Sequence, residues 1–154
     1  MNDNIHALRA PGQNDLVVVE RMYQDAFSIN FPGADYGVIA RAVALRLTNA
    51  IDNERNEIVV AENDDGIIIG YVWLLRSWDA DGTECVTFEG IGTHPDVRRR
   101  GVAEKLASIA VELAAKMGAK RLLARVMPHN EPVVRLIEKL GGTTRFVEYT
   151  LDIG

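Results

Sequence analysis

The chain has 154 residues, 47% hydrophobic and 25% charged, with a formal net charge of -5. That composition belongs to a globular protein with enough apolar material for a buried core, and it excludes an intrinsically disordered chain. No apolar run approaches the roughly 20 residues needed to cross a bilayer, so no membrane partner is expected.

A chain of this length reads as one domain, residues 1–154. The N-terminal stretch MNDNIHALRAPG lacks a basic segment followed by an apolar block, so no secretion signal is expected. A lone cysteine, Cys85, cannot form an intramolecular disulfide, which fits a cytoplasmic location. The histidines His6, His94 and His129 are scattered without metal-ligand spacing, and no metal is expected.

In chain order, Ile5 to Arg9 reads as a short strand. Asn14 or Asp15 can cap a helix from Leu16 to about Phe27, with Leu16, Val19, Met22, Tyr23 and Ala26 on one side. Phe31-Pro32-Gly33 breaks it, and a second helix runs from about Tyr36 to Ile51 on the repeat Ile39, Val43, Leu47, Ile51. Ile58 to Ala61 and Ile67 to Leu75 then form a hairpin around Asn63-Asp64-Asp65-Gly66. After the turn at Asp79 to Gly82, Thr83 to Thr93 is a further strand. Val102, Leu106, Ile109, Leu113 and Met117 stripe a third helix that Gly118 stops. Arg121 to Met127 is a strand, and Asn130 caps a last helix with Pro132 in its first turn and Gly141 at its end. Arg145 to Ile153 is predicted to close the chain as a strand. The order describes a mixed α/β sheet covered by helices.

Charge is unevenly spread. Residues 98–154 carry 11 Lys/Arg against 6 Asp/Glu, whereas the remaining 97 residues carry 6 against 16. The basic half opens on HPDVRRRGVAEKLA, His94 to Ala107, where a strand gives way to a helix. The first N–H groups of a helix have no internal partner, and the macrodipole adds about half a positive charge there. A glycine lets a bulky anion approach the backbone, and arginines add forked donors for phosphate oxygens. Strand, Arg-x-x-Gly-x-Ala and helix together therefore describe a phosphate cradle. The pattern is neither a nucleoside-triphosphate loop nor a dinucleotide fingerprint. No aromatic residues interleave with Arg98, Arg99 and Arg100, and the net charge is negative, so no nucleic-acid partner is expected.

Here the sequence resembles the GNAT superfamily of N-acetyltransferases. Their motif Arg/Gln-x-x-Gly-x-Gly/Ala matches Arg98-Arg99-Arg100-Gly101-Val102-Ala103, and Thr93-His94-Pro95-Asp96 matches their usual strand exit. The resemblance covers nearly the whole chain in element order. It implies a mostly antiparallel mixed sheet of six or seven strands with about four helices and splayed central strands. It implies acetyl-coenzyme A as co-substrate, with the diphosphate on the N–H groups of Arg98, Arg99, Arg100, Gly101, Val102 and Ala103. The pantetheine arm would follow Ile91, Gly92 and Thr93, and Asn130 would contact it, with a plain helix cap as its other reading. Gly90 and Gly92 suit close ligand approach, a bulge, or tight packing.

Attack on a thioester needs a neutral amine, so a base must remove a proton. Unbroken strand alternation would put Cys85, Thr87, Glu89 and Ile91 on one side. Glu89 lies where many relatives carry a general base, and an apolar setting beside Phe88 would raise its pKa. A salt bridge or a substrate-orienting role is the other reading of Glu89. A backbone N–H near Ile91 or Gly92 would meet the developing oxyanion. The tyrosine that protonates the thiolate in many relatives is replaced by Ile137, leaving Tyr71, Tyr149 or unaided departure of a thiol of pKa about 8.5. His94 and His129 read as surface residues.

The resemblance thus implies an N-acetyltransferase acting on a primary amine of a small molecule or peptide, bound against the first half near Phe31 to Tyr36. The acidic balance there suits a cationic amine such as a polyamine, an amino sugar, a lysine side chain or a protein N-terminus. Asp35 and Tyr36 also read as the cap and start of the second helix. The alternative is a non-catalytic coenzyme A-binding regulatory or scaffold module. The sequence is compatible with a homodimer.

Overall fold

The computed structural model describes residues 1–154. Five strands form one sheet in the order β1-β2-β3-β4-β5: Ala7–Arg9, Asn56–Glu62, Ile68–Trp78, Glu84–Thr93 and Arg121–Ala124. Strands β1 to β4 pair antiparallel, and β5 joins β4 in parallel. Parallel pairing needs a crossover, which α3, Val102–Lys116, provides.

The helices α1, Leu16–Asn30, and α2, Tyr36–Ile51, cover one face of the sheet. Their buried Val19, Met22, Val43 and Leu47 meet Ile58, Val60, Tyr71 and Trp73. On the other face Val102, Leu106 and Ala110 of α3 pack against Ile69, Val72, Leu74 and Val86. Coverage on both faces explains why the central strand lacks alternation: Ile68 to Leu74 are buried in succession. Leu47 and Leu106, each 1% exposed, contribute about 1.5–3 kcal/mol apiece.

The α2 boundaries are those read from the sequence. Asp35 accepts hydrogen bonds from the Gly37 and Val38 N–H groups at 2.8 and 3.2 Å, so the expected cap forms. The final helix, α4, spans Glu131–Lys139 and buries no residue.

The strand count departs from expectation, five rather than six or seven. The strand expected over Arg121 to Met127 ends at Ala124, and Arg145 to Ile153 forms no strand. A strand needs a ladder partner as well as an alternating sequence. Residues 145–148 are held beside β5 by ion pairs instead: Arg145 shares Asp79 with Arg121, and Glu148 meets Arg125 at 3.4 Å. Phe146, Val147, Tyr149, Leu151 and Ile153 all lie exposed.

Candidate active site

The site is organised by a fault in β4. Trp73 pairs with Gly90 and Leu74 with Phe88, so Glu89 has no residue opposite it. This bulge breaks the simple alternation expected along the strand. Phe88 and Ile91 both pack on the α3 side, so Ile91 leaves the face that Glu89 occupies. Pairing of β4 with β5 also stops at Phe88 and Ala124. Glu89 therefore sits where the two strands part, and Glu89 to Thr93 faces an opening.

Which amides face that opening follows from the ladder. The His94 N–H donates to the Ile69 carbonyl at 2.8 Å. By alternation, the residue pairs Gly92–Tyr71 and Gly90–Trp73 also exchange ladder bonds, while the Ile91 and Thr93 N–H groups point away from β3. Of the two amides considered for an oxyanion, that of Ile91 is aimed into the opening. Gly92 is committed to the sheet.

Gly90 and Gly92 are required by packing as well. A Cβ on Gly92 would stand 2.5 Å from Cε1 of Tyr71, and one on Gly90 would stand 2.9 Å from the Tyr71 hydroxyl. The Tyr71 ring fills the space beneath both. Its hydroxyl is buried without a hydrogen-bond partner, and burial pushes its pKa well above the usual tyrosine value. Tyr149 stands 91% exposed in the C-terminal segment. The Tyr71 hydroxyl, being buried, is closed off from the opening beside Ile91. Ile137 lies half-buried in α4.

Glu89 keeps different company from that expected. Phe88 turns to the opposite face, and Arg46 of α2 donates from Nη2 to Glu89 Oε2 at 2.5 Å. Arg46 Nη1 donates to the Tyr23 hydroxyl at 3.2 Å, and its guanidinium lies 5.3 Å above the Trp73 ring. The carboxylate is largely covered, 17% exposed, whereas the Arg46 side chain is 50% exposed. An apolar pocket around Glu89 is thus replaced by an ion pair over an aromatic floor. The sequence pattern places Tyr23 only on the apolar side of α1 and gives Arg46 no role; the signal for Arg46 is its place three residues after Val43, on the margin of the α2 apolar stripe.

At the other end of β4, a cleft of about 400 Å³ opens between the arginine loop and α4. It is lined by Thr93, Arg98, Arg99, Gly101 and Ala103, with Arg135 and Lys139 opposite. Arg99 has φ 63° and Gly101 φ 80°, both left-handed. That turn leaves the N–H groups of Arg99, Arg100 and Gly101 without an acceptor in the protein, and no side chain caps α3. Successive free amides at a helix start form an anion-binding nest.

The three arginines differ. Arg98 is paired with Asp25 of α1 at 3.0 Å, and Arg100 donates to the Met1 carbonyl at 3.0 Å. Arg99 lines the cleft and makes no hydrogen bond or ion pair. Val102 is buried by its side chain and can offer only its backbone. The fit to a diphosphate rests on this nest, on the open space where Gly101 would carry a Cβ, and on the unpaired Arg99. Across the cleft Lys139 pairs with Glu104, which also lines it, and Arg135 pairs with Glu131, each at 2.6 Å.

Asn130 occupies the N-cap position of α4, but its side chain makes no cap. It is buried, and Nδ2 donates to Asn30 Oδ1 at 2.8 Å, while His129 Nε2 lies 3.1 Å from the Ile29 carbonyl oxygen. Both bonds fasten this turn to the end of α1. His94, half-buried, accepts the Asp96 N–H at Nδ1.

Comparison with known proteins places this architecture. The model of the acetyltransferase (GNAT) family matches residues 17–142. The uncharacterized N-acetyltransferase YdgE of Bacillus subtilis (strain 168) is 28% identical over 95 residues, 62% of this chain. The match spans 60% of the length of that relative. A Pyrococcus furiosus protein assigned as an acetyl transferase has the same fold at a TM-score of 0.79 and 19% identity, over 96% of this chain and 99% of its own. The aminoglycoside antibiotic 6'-N-acetyltransferase of Acinetobacter baumannii has a TM-score of 0.67 at 16% identity, over 96% and 99%. No helix of this chain is long and apolar enough to cross a membrane. Because the family model matches most of its length, residues 17–142, the chain belongs to the acetyltransferase (GNAT) family.

Proposed function

We propose that the chain acts as one N-acetyltransferase domain, transferring the acetyl group of acetyl-coenzyme A to a primary amine of a small molecule or peptide. The observation that carries this reading is the pair of left-handed residues, Arg99 and Gly101, which line the cleft in a turn whose amides have no acceptor within the protein. Acetyl-coenzyme A supplies an activated thioester carbonyl and a diphosphate handle. The amides of Arg99, Arg100, Gly101, Val102 and Ala103 hold the diphosphate, with Arg99 adding charge from the side. Thr93 and Ile91 present amides to the arm. Four residue steps along the strand, roughly 13 Å, separate Thr93 from Glu89.

Glu89 takes one proton from the acceptor ammonium. The freed nitrogen lone pair forms the C–N bond as the C–S bond breaks, and sulfur keeps that electron pair. The nitrogen then releases its second proton to solvent, and the thiolate leaves without a tyrosine acid. The Ile91 N–H is aimed to meet charge developing on the carbonyl oxygen. Asn130 braces the turn between β5 and α4.

Calorimetric titration of coenzyme A, with thiol release from acetyl-coenzyme A across a panel of amines, tests the proposal. Binding with turnover that Glu89→Gln abolishes is expected. Binding without turnover for any amine supports instead a coenzyme A-binding regulatory module, a reading favoured by Ile137 standing where a tyrosine acid would be.

A further inference from the structure

Resting on that reading, we infer that the acceptor is a free amino acid or a close analogue: an amine whose carboxylate sits on the adjacent carbon, recognised by the Glu89–Arg46 pair. Arg46 is then the specificity-determining residue.

The inference starts from the contact itself. Glu89, the group placed to receive the acceptor amine, is bound at one oxygen by Arg46. A simple cation approaching this pair meets attraction from one member and repulsion from the other. Its net pull is weak, whatever the acidic balance of the first half. A ligand with both charges side by side meets the pair in register, with its ammonium on Glu89 and its carboxylate on Arg46. Neither protein charge has to be exposed alone.

Donor counting leaves room for this. A guanidinium has five N–H donors. Arg46 uses one toward Glu89 and one toward the Tyr23 hydroxyl, and half of its side chain is open to solvent. A carboxylate can therefore add to Arg46 without dissolving the ion pair. The guanidinium is held in place from beneath by Trp73, and Tyr23 packs on Trp73 with ring centroids 5.9 Å apart. The fork is thus fixed rather than free to follow any ligand.

The same contact limits the ligand. Arg46 Nη2 and Glu89 Oε2 are 2.5 Å apart, so the two ligand charges must be near neighbours as well. An amine on the carbon next to a carboxylate meets this condition. A polyamine, an amino sugar, a lysine side chain or the N-terminus of a long peptide does not. Acetylation also neutralises the amine, so the product keeps its hold on Arg46 and loses its charge pairing with Glu89, which favours release.

Matched compounds test this with the full chain. The twenty amino acids, their carboxamides and the corresponding decarboxylated amines, together with spermidine and a lysine peptide, are compared for thiol release from acetyl-coenzyme A. At least one amino acid is expected to exceed its amide ten-fold or more in kcat/KM. Arg46→Gln should erase that discrimination mainly through KM, Arg46→Lys should restore part of it, and coenzyme A binding should stay unchanged in both. Amides, spermidine or peptide turned over as well as amino acids, or discrimination surviving in Arg46→Gln, overturns the inference. Calorimetry of the same pairs in the presence of coenzyme A separates the two levels. Carboxylate-dependent binding without turnover sinks acetyl transfer and keeps the Arg46 assignment, whereas amides binding as tightly as acids sinks the assignment.

Discussion

The two ends of β4 handle charge by opposite means. At the Thr93 end the backbone supplies the unpaired groups: free amides and two left-handed residues make up the proposed cradle, and two of the three arginines are turned to structural partners. At the Glu89 end the backbone is distorted only to aim side chains, and a carboxylate and a guanidinium face the open strand edge. A run of like charges in a sequence is thus a poor guide to which side chains stay unpaired in the fold, since Arg98 and Arg100 are engaged within the protein and Arg99 is not.

Changes that break one end and spare the other sharpen this contrast. The largest effect is expected for Glu89→Gln, which should lower kcat by about 10²–10⁴, the usual worth of a positioned base, with coenzyme A affinity unchanged by calorimetry. Next, Gly92→Ala pushes a Cβ against the fully buried Tyr71 ring. It should cost about 1–3 kcal/mol of stability in denaturant unfolding, as overpacking does. At the cradle, Arg99→Ala should weaken coenzyme A binding roughly ten-fold, the scale of one charge-assisted hydrogen bond, while Arg100→Ala should change it by less than about two-fold. Equal losses from both would mean that the side chains, not the turn, hold the anion.

The smallest effect belongs to a region away from either end. The guanidinium groups of Arg145 and Arg121 hold the Asp79 carboxyl below the usual carboxylate range. A lowered carboxylate pKa adds stability that is complete above the unfolded value, about 3.9, and is lost as pH falls through the folded value. Denaturation midpoints should therefore drop as pH is lowered below that point, and Asp79→Asn should flatten the drop while lowering stability at neutral pH.

Much of this was legible because it is local. The α2 boundaries follow from the Asp35 cap and a four-residue apolar repeat, and the cradle from an Arg-x-x-Gly-x-Ala run between strand and helix. What was not legible depends on distant partners. Arg98 and Arg100 find theirs 73 and 99 residues away. Glu89 meets Arg46 from another element, and Phe88 is removed by a bulge that alternation alone cannot foresee. The closing strand fails for the same reason: its alternation is present at Val147, Tyr149, Leu151 and Ile153, but no neighbour completes the ladder.

The supernumerary residue at position 89 also sets a phase. Side chains before and after it count from different origins, so a single backbone unit sets how the carboxylate at position 89 faces relative to the turn at Arg99 and Gly101. Removing residue 89 itself would close the bulge, with Phe88 still opposite Leu74 and Gly90 opposite Trp73, so later side chains would keep their faces and only the Glu89 carboxylate would be lost. On the proposed reading, the choice of acceptor lies with exchangeable side chains such as Arg46 of α2, while β4 itself stays fixed in register.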